Sequence, residues 1–418
     1  MRIGGNFRAL AYRNFRLFWI AQFISLTGTW MQMMAQGWLM YRLSASPFLL
    51  GLLGFSQYVP VLLLALPAGV VADLVNKRRL ILITQILMLA QAVALAAVTS
   101  AGTVTPWMVL VLAVVLGTVN AFDMPVRQSF IIEMVGKEDL GNAIALSSMA
   151  FNGARIVGPA LAGIALAAIG EAGCFWLNAV SFVPVLAALA MMTALRESRE
   201  SRDAHPWVHL REGVRYAWRI PAIRNLLLLL AFMSGFGFQY MVLLPVYARD
   251  ILGSGSEIYG ALVSAFGVGS VLGALSLTRR LDRWGLRRNL LLGLGIAAIG
   301  MIAFARSTIL WLSLAAGFAA GFGLILYVAS TNTLVQITTE DRYRGRVMSL
   351  YTLMFLGTSP LGSLAAGAIA QRAGAPAATM ISGVILLLGA IWIAYRLRVI
   401  AVREAAGEVT VPGPEPPG

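Results

Sequence analysis

The sequence predicts an all-α polytopic membrane protein of twelve transmembrane helices in two pseudo-symmetric six-helix bundles. Three observations predict it. Of 418 residues, 59% are apolar and 12% charged, and the mean hydropathy of +0.79 exceeds what a soluble core requires. Apolar runs of spanning length recur along the chain; with about 20 residues per span and about 35 including a short loop, this length holds roughly twelve. Nearly all charges fall between those runs.

The runs lie near 15–41, 47–72, 80–101, 105–127, 142–169, 172–195, 222–248, 256–278, 289–305, 309–337, 346–371 and 376–396. Taken as spans 1 to 12 starting inside, they leave 27 of the 32 Lys and Arg in interior segments. The exterior loops hold Arg42, Arg249, Arg306 and Arg372, and Arg155 alone lies within a span. This positive-inside asymmetry would invert if one span were miscounted, and it expects both termini in the cytoplasm of a bacterial cell, with the chain in the inner membrane. Arg2, Arg8, Arg13 and Arg16 precede span 1, which lacks a small-residue cleavage site and is read as uncleaved. Dispersal of the bases removes the nucleic-acid partner that a net charge of +14 would otherwise suggest.

The domain organisation follows. Residues 1–195 form one bundle, 196–221 a charged cytoplasmic linker and 222–398 the second bundle; the Pro-rich stretch 399–418 cannot propagate a helix and is expected to be disordered. Within the linker, Leu210 to Trp218 has the pattern of an amphipathic helix on the membrane surface. A lone Cys174 excludes an intramolecular disulfide. His205 and His209 share the linker, so no metal, no cofactor and no membrane-embedded enzyme is expected. No Gly-x-x-x-x-Gly-Lys loop is present, which argues against ATP-driven pumping.

The halves echo each other. Gly69, Asp73, Lys77, Arg78 and Arg79 follow span 2, and Asp282, Arg283, Gly285, Arg287 and Arg288 follow span 8, about 209 positions on. Gly158-Pro159 with Gly163 in span 5 matches Pro360 with Gly362 and Gly367 in span 11, about 201 positions on. Such duplication places a transport site at the interface of two rocking bundles. Asp73 is placed to cap a neighbouring helix while the bases stay at headgroup level; a plain topology signal explains the same residues. The Gly-Pro and Pro-Gly motifs free backbone groups and permit close helix approach.

The loop after span 2 resembles the signature of the major facilitator superfamily. Leu74 stands where that family usually has Arg, and Asn76 where it has Gly; Asn tolerates a left-handed turn. Asn120 to Val135, Asn142 to Ser148, Phe151-Asn152 with Arg155, and Arg344 to Ser349 resemble the enterobactin-exporter-like and macrolide-efflux-like branch, the drug:proton antiporters of type 3. The resemblance covers residues 10–398 and implies the twelve-helix fold, efflux, proton antiport and a latching role for the loop. It also links the span 5 motif to antiport.

Asp123 and Arg127 lie four apart at the inner end of span 4, able to pair together or to exchange partners with Asp73 and Lys77; a static pair pinning the helix is the other reading. Arg155 lies about thirteen residues into span 5, roughly 20 Å along it, and a charge there needs a wet cavity and a partner, unless it snorkels. In span 1, Gln22, Ser25, Thr29, Gln32 and Gln36 recur at 3, 4, 3 and 4, a single polar stripe. It predicts either a water-lined path or interhelical hydrogen bonds. Asn152, Gln239 and Asn332 are candidates for the same cavity, and Trp30, Met33, Met34 and Phe236 for adaptable apolar contact. Outside Asp123, acids sit in loops, in the tail or at membrane edges, with Glu133 the other weak coupling candidate. The expected function is secondary active export of an amphipathic small molecule, drug-like or a siderophore, by a monomer with protons as coupling ion. Lipid or lysolipid transport and a transport-dead sensor are the competing readings.

Overall fold

The computed structural model describes residues 5–193, 206–237, 239–277 and 283–405. Among them the regular elements are helical. After a 3-10 turn at Gly5–Ala11 come α1 Arg13–Ser44, α2 Pro47–Leu74, α3 Lys77–Ser100, α4 Pro106–Val135, α5 Leu140–Ser181, α6 Val183–Met191 and α7 Pro206–Arg219. Then follow α8 Pro221–Gly237, α9 Tyr240–Val246 with a π turn at Tyr247–Ile251, α10 Ser256–Ser276 and α11 Arg283–Arg306. The series ends with α12 Leu310–Thr338, α13 Asp341–Gly357, α14 Ser359–Ala373 and α15 Ala375–Ala405.

Ten stretches of the described residues are long and apolar enough to cross a membrane. One of them, Leu140–Met191, runs for 52 residues and turns at Gly170, whose φ of 68° suits a residue without a Cβ, so it supplies two crossings. The 32-residue α1 completes the twelve; its glutamines and hydroxyls lower its hydropathy below that of the others. The linker pattern at 210–218 falls within α7. The expectation of disorder from 399 is corrected over 399–405, which continue α15 as helix because the prolines begin only at Pro412; residues 406–418 lie outside the described residues.

Contacts divide the chain into two units. The first comprises Met1–Ala45, Ser56–Asp203 and Ser254–Ala261; the second comprises Ser46–Phe55, Ala204–Gly253 and Leu262–Gly418. In the first, Phe15, Phe18, Ile81, Phe130, Val185 and Leu189 form a core at one end of the helices. In the second, α11 and α12 pack backbone to backbone: a Cβ on Gly293 would lie 2.6 Å from Tyr327 N, and one on Gly300 2.6 Å from Ala320 N. In a bilayer, where lipid is as apolar as Leu, such close approach supplies the packing that hydrophobicity cannot.

Helix α7 docks on the start of α13. Glu212 pairs with Arg346 at 2.8 Å, Tyr216 stacks on Tyr343 with centroids 4.2 Å apart, and the Tyr216 hydroxyl accepts from the Glu340 N–H at 3.1 Å. Arg342 and Arg346 each lie over the Tyr343 ring, at 5.5 and 5.6 Å. Burial pushes the Tyr216 phenol above its usual range, so this docking presents a neutral hydroxyl at ordinary pH.

Candidate functional site

The loop between α2 and α3 is built by its polar residues. Asn76 is extended (φ −63°) and its side chain accepts from the Arg79 N–H at 2.9 Å, so it is the N-cap of α3. This corrects the expectation of a left-handed turn: Asn serves here because its side-chain oxygen satisfies an orphan helix donor. Lys77 pairs with Glu133 of α4 at 2.7 Å. Arg78 reaches the C-terminal end of α6, donating to Leu189 O at 2.5 Å and Ala190 O at 3.3 Å, where helix carbonyls lack partners. Arg13 and Asn14 serve the same end through Met191 O and Thr193 O.

Asp123 is completely buried. Its Oδ2 lies 2.7 Å from Arg127 Nε, one turn along α4, and its Oδ1 accepts from Thr84 at 2.7 Å and Gln85 at 3.0 Å, both on α3. A carboxylate with one charge partner and two further donors is well compensated in low dielectric. Of the two arrangements open from sequence, Asp123 and Arg127 pair with each other, while Lys77 takes Glu133. Gly69 has open space around it. Asp282 and His205 lie outside the described residues, as do the side chains of Asp73, Arg283 and His209; Gly285 is buried in the first turn of α11.

The polar stripe of α1 turns inward. Gln32 is fully buried, donating to Gln91 at 3.0 Å and accepting from Asn178 at 2.7 Å. Gln36, also fully buried, donates to Val109 O at 3.4 Å and accepts from Gln57 at 3.5 Å. Thr29 donates back to Ser25 O at 2.9 Å within α1. Gln22 is buried with its Oε1 unpaired. Asn152 is exposed and donates to Ser148 O; Asn332 is half-buried and accepts from Gln336.

Arg155 sits fifteen residues after Leu140 on α5. Its guanidinium lies over Trp30 of α1, 5.7 Å from the ring centroid, and Phe151 meets the same ring edge-on at 5.9 Å. Gly158 lets the helices close: a Cβ there would stand 2.6 Å from Trp30 Cβ and 2.8 Å from Thr27 O. Residues 151, 155 and 158 recur at 4 and 3, so one face of α5 meets Trp30. Pro159 is buried beside it.

One span is interrupted: α13 gives way at Thr358 to α14, whose second residue is Pro360. Gln239, the residue that precedes α9, braces this break. Gln239 donates to Ser234 O at 3.1 Å and to Ser359 O at 3.5 Å and accepts from Ser363 at 2.7 Å, Thr358 donates to Ala231 O at 2.8 Å, and Ser234 donates to Phe355 O. Gly362 lies against Gly235 O, where no Cβ fits. Freed backbone groups are thereby satisfied without water. Sequence reasoning missed Thr84, Gln85, Gln91 and Asn178; all four are polar residues within apolar runs, the signal that would have found them.

A span broken at a braced junction, largely enclosed ion pairs and a charged side chain well inside a spanning helix define a polytopic membrane transporter of the major facilitator type. Residues 4–417 match the family described as transmembrane secretion effector, and the chain belongs to it. It is 27% identical over 356 residues to the Staphyloferrin A transporter of Staphylococcus aureus, covering 84% of this chain and 87% of that one. It is 28% identical over 382 residues to the multidrug efflux pump Tap of Mycolicibacterium fortuitum, covering 87% and 91%. The fold is that of the nucleoside transporter NupG (TM-score 0.73, 12% identity, 92% of this chain and 99% of that). A bacterial homologue of the human lysosomal transporter Spinster shares it (0.72, 17%, 93% and 97%).

Proposed function

We propose that the chain is a secondary active transporter exporting an amphipathic small molecule, a drug-like compound or a siderophore, by alternating access with proton antiport. It acts as a monomer in the bacterial inner membrane, termini in the cytoplasm, its bundles 1–195 and 222–398 joined by the linker 196–221. The observation that carries the reading is the break at Thr358, braced by Gln239 and Ser234. Transporters interrupt helices where a site must change shape, and hydrogen bonds among Ser234, Gln239, Thr358 and Ser363 can be exchanged without stranding a polar group in the bilayer. Relatives named for staphyloferrin A transport and multidrug efflux favour export. In this reading Lys77–Glu133 and Asp123–Arg127 latch one state, and Arg155 with Asn152 faces the substrate path.

The test is accumulation of several fluorescent cations and a catecholate siderophore in inverted vesicles, with and without an imposed proton gradient. Gradient-dependent uptake of any one supports export and antiport together. No uptake of any compound removes the reading in favour of lipid transport or a sensor.

A further inference from the structure

Four of the six described carboxylates of the first unit are paired. Asp123 is held by Arg127, Glu133 by Lys77, Asp139 by Arg8 and Tyr12, and Glu171 by Arg42. The other described ones, Glu138 and Glu257, are exposed. Asp123 is the single described carboxylate deep within a spanning helix, and it is fully enclosed. Among the described residues of this unit, a cationic ligand at mid-span would therefore meet no free acid.

Arg155 presents the opposite case. Among the described residues its one close contact is the face of Trp30, and no carboxylate or carbonyl takes a hydrogen bond from it. Arg155 is only half-buried, and Trp30 and Phe151 supply adjoining ring surface. An arginine at this depth without a protein anion is costly, and a bound anion removes that cost. Its stacked guanidinium still has edge N–H groups to donate in a fork, which suits a planar carboxylate or similar oxyanion.

We propose that Arg155, Trp30 and Phe151 form a subsite for an acidic group carried next to an aromatic or apolar body, so that the transported substrates are organic anions. This rests on the transport reading above and narrows it. The ring packs on Trp30 and Phe151, and the oxyanion takes the guanidinium edge.

The test is equilibrium binding of two shape-matched tritiated probes, 2-naphthoate and 2-naphthylmethyl-trimethylammonium, to the full-length protein in nanodiscs by scintillation proximity. The expected result is naphthoate binding at least about tenfold tighter than the ammonium, lost by about tenfold or more in Arg155→Gln and partly restored in Arg155→Lys. The ammonium should be indifferent to both changes. Equal or tighter ammonium binding, naphthoate affinity unchanged in Arg155→Gln, or no binding of naphthoate overturns the subsite. Thermal unfolding of each variant separates a folding defect from lost recognition. Gradient-driven export of cations without naphthoate binding would sink the subsite while leaving the transporter standing, whereas absence of any flux would sink the transport reading itself.

Discussion

Gly163 of α5 and Gly260 of α10 cross with their backbones in contact: a Cβ on Gly163 would stand 2.7 Å from Gly260 Cα. The second unit holds its counterpart, where a Cβ on Gly51 would stand 2.9 Å from Gly367 Cα. Gly51 precedes Gly260 by 209 positions and Gly163 precedes Gly367 by 204, so the internal repeat carries both crossings. Gly163→Val should separate α5 from α10 and lower stability by about 1–3 kcal/mol, the usual range for overpacking. Spin labels on the two helices should report a longer distance; an unchanged distance would mean that the crossing has slack.

The enclosure of Asp123 makes the two members of its pair with Arg127 unequal. Arg127→Leu leaves a buried carboxylate without a base and should destabilise by about 3–5 kcal/mol. Asp123→Asn still accepts from Thr84 and Gln85 and frees an arginine that reaches solvent, so it should lose only about 1–3 kcal/mol. Thermal unfolding in detergent orders the two, and the reverse order would contradict this arrangement.

Gln32 and Gln22 lie on one stripe and should behave differently. Gln32→Leu strands Gln91 and Asn178 in a dry interior and should lower stability by about 1–3 kcal/mol. Gln22→Leu removes an oxygen that is buried without a partner and should be neutral or stabilising. Equal losses in a thermal-unfolding comparison would show that Gln22 has a partner after all.

These contrasts mark how far the sequence is legible. The twelve crossings were, because lipid forces every span to be apolar and satisfied within itself. Even the turn at Gly170 fell between two predicted runs. Arg155 stood out as a charge inside such a run. Pairings across helices were not legible: Lys77 and Glu133 are 56 residues apart, and their meeting depends on how α3 and α4 are rotated against each other. For the same reason the α1 stripe announced polarity without saying whether water or Gln91 would answer it. Pro360 marked the break at Thr358 without revealing that Gln239 and Ser234 would brace it.

Capping gives a sharper test of the loop after α2. Asn76→Ala should lose about 1 kcal/mol, Asn76→Gly a few tenths, and Asn76→Asp little, because only the side-chain acceptor matters. Thermal unfolding of the three variants checks the series. A loss for Asp as large as for Ala would show that the Arg79 N–H is satisfied in another way.

The most direct test of the central claim is substrate flux through Arg155→Ala in proteoliposomes at matched protein abundance, using a compound that the wild-type chain carries. Transport should be abolished while insertion and unfolding temperature stay near wild type; wild-type flux in that variant would contradict a transport site built on Arg155.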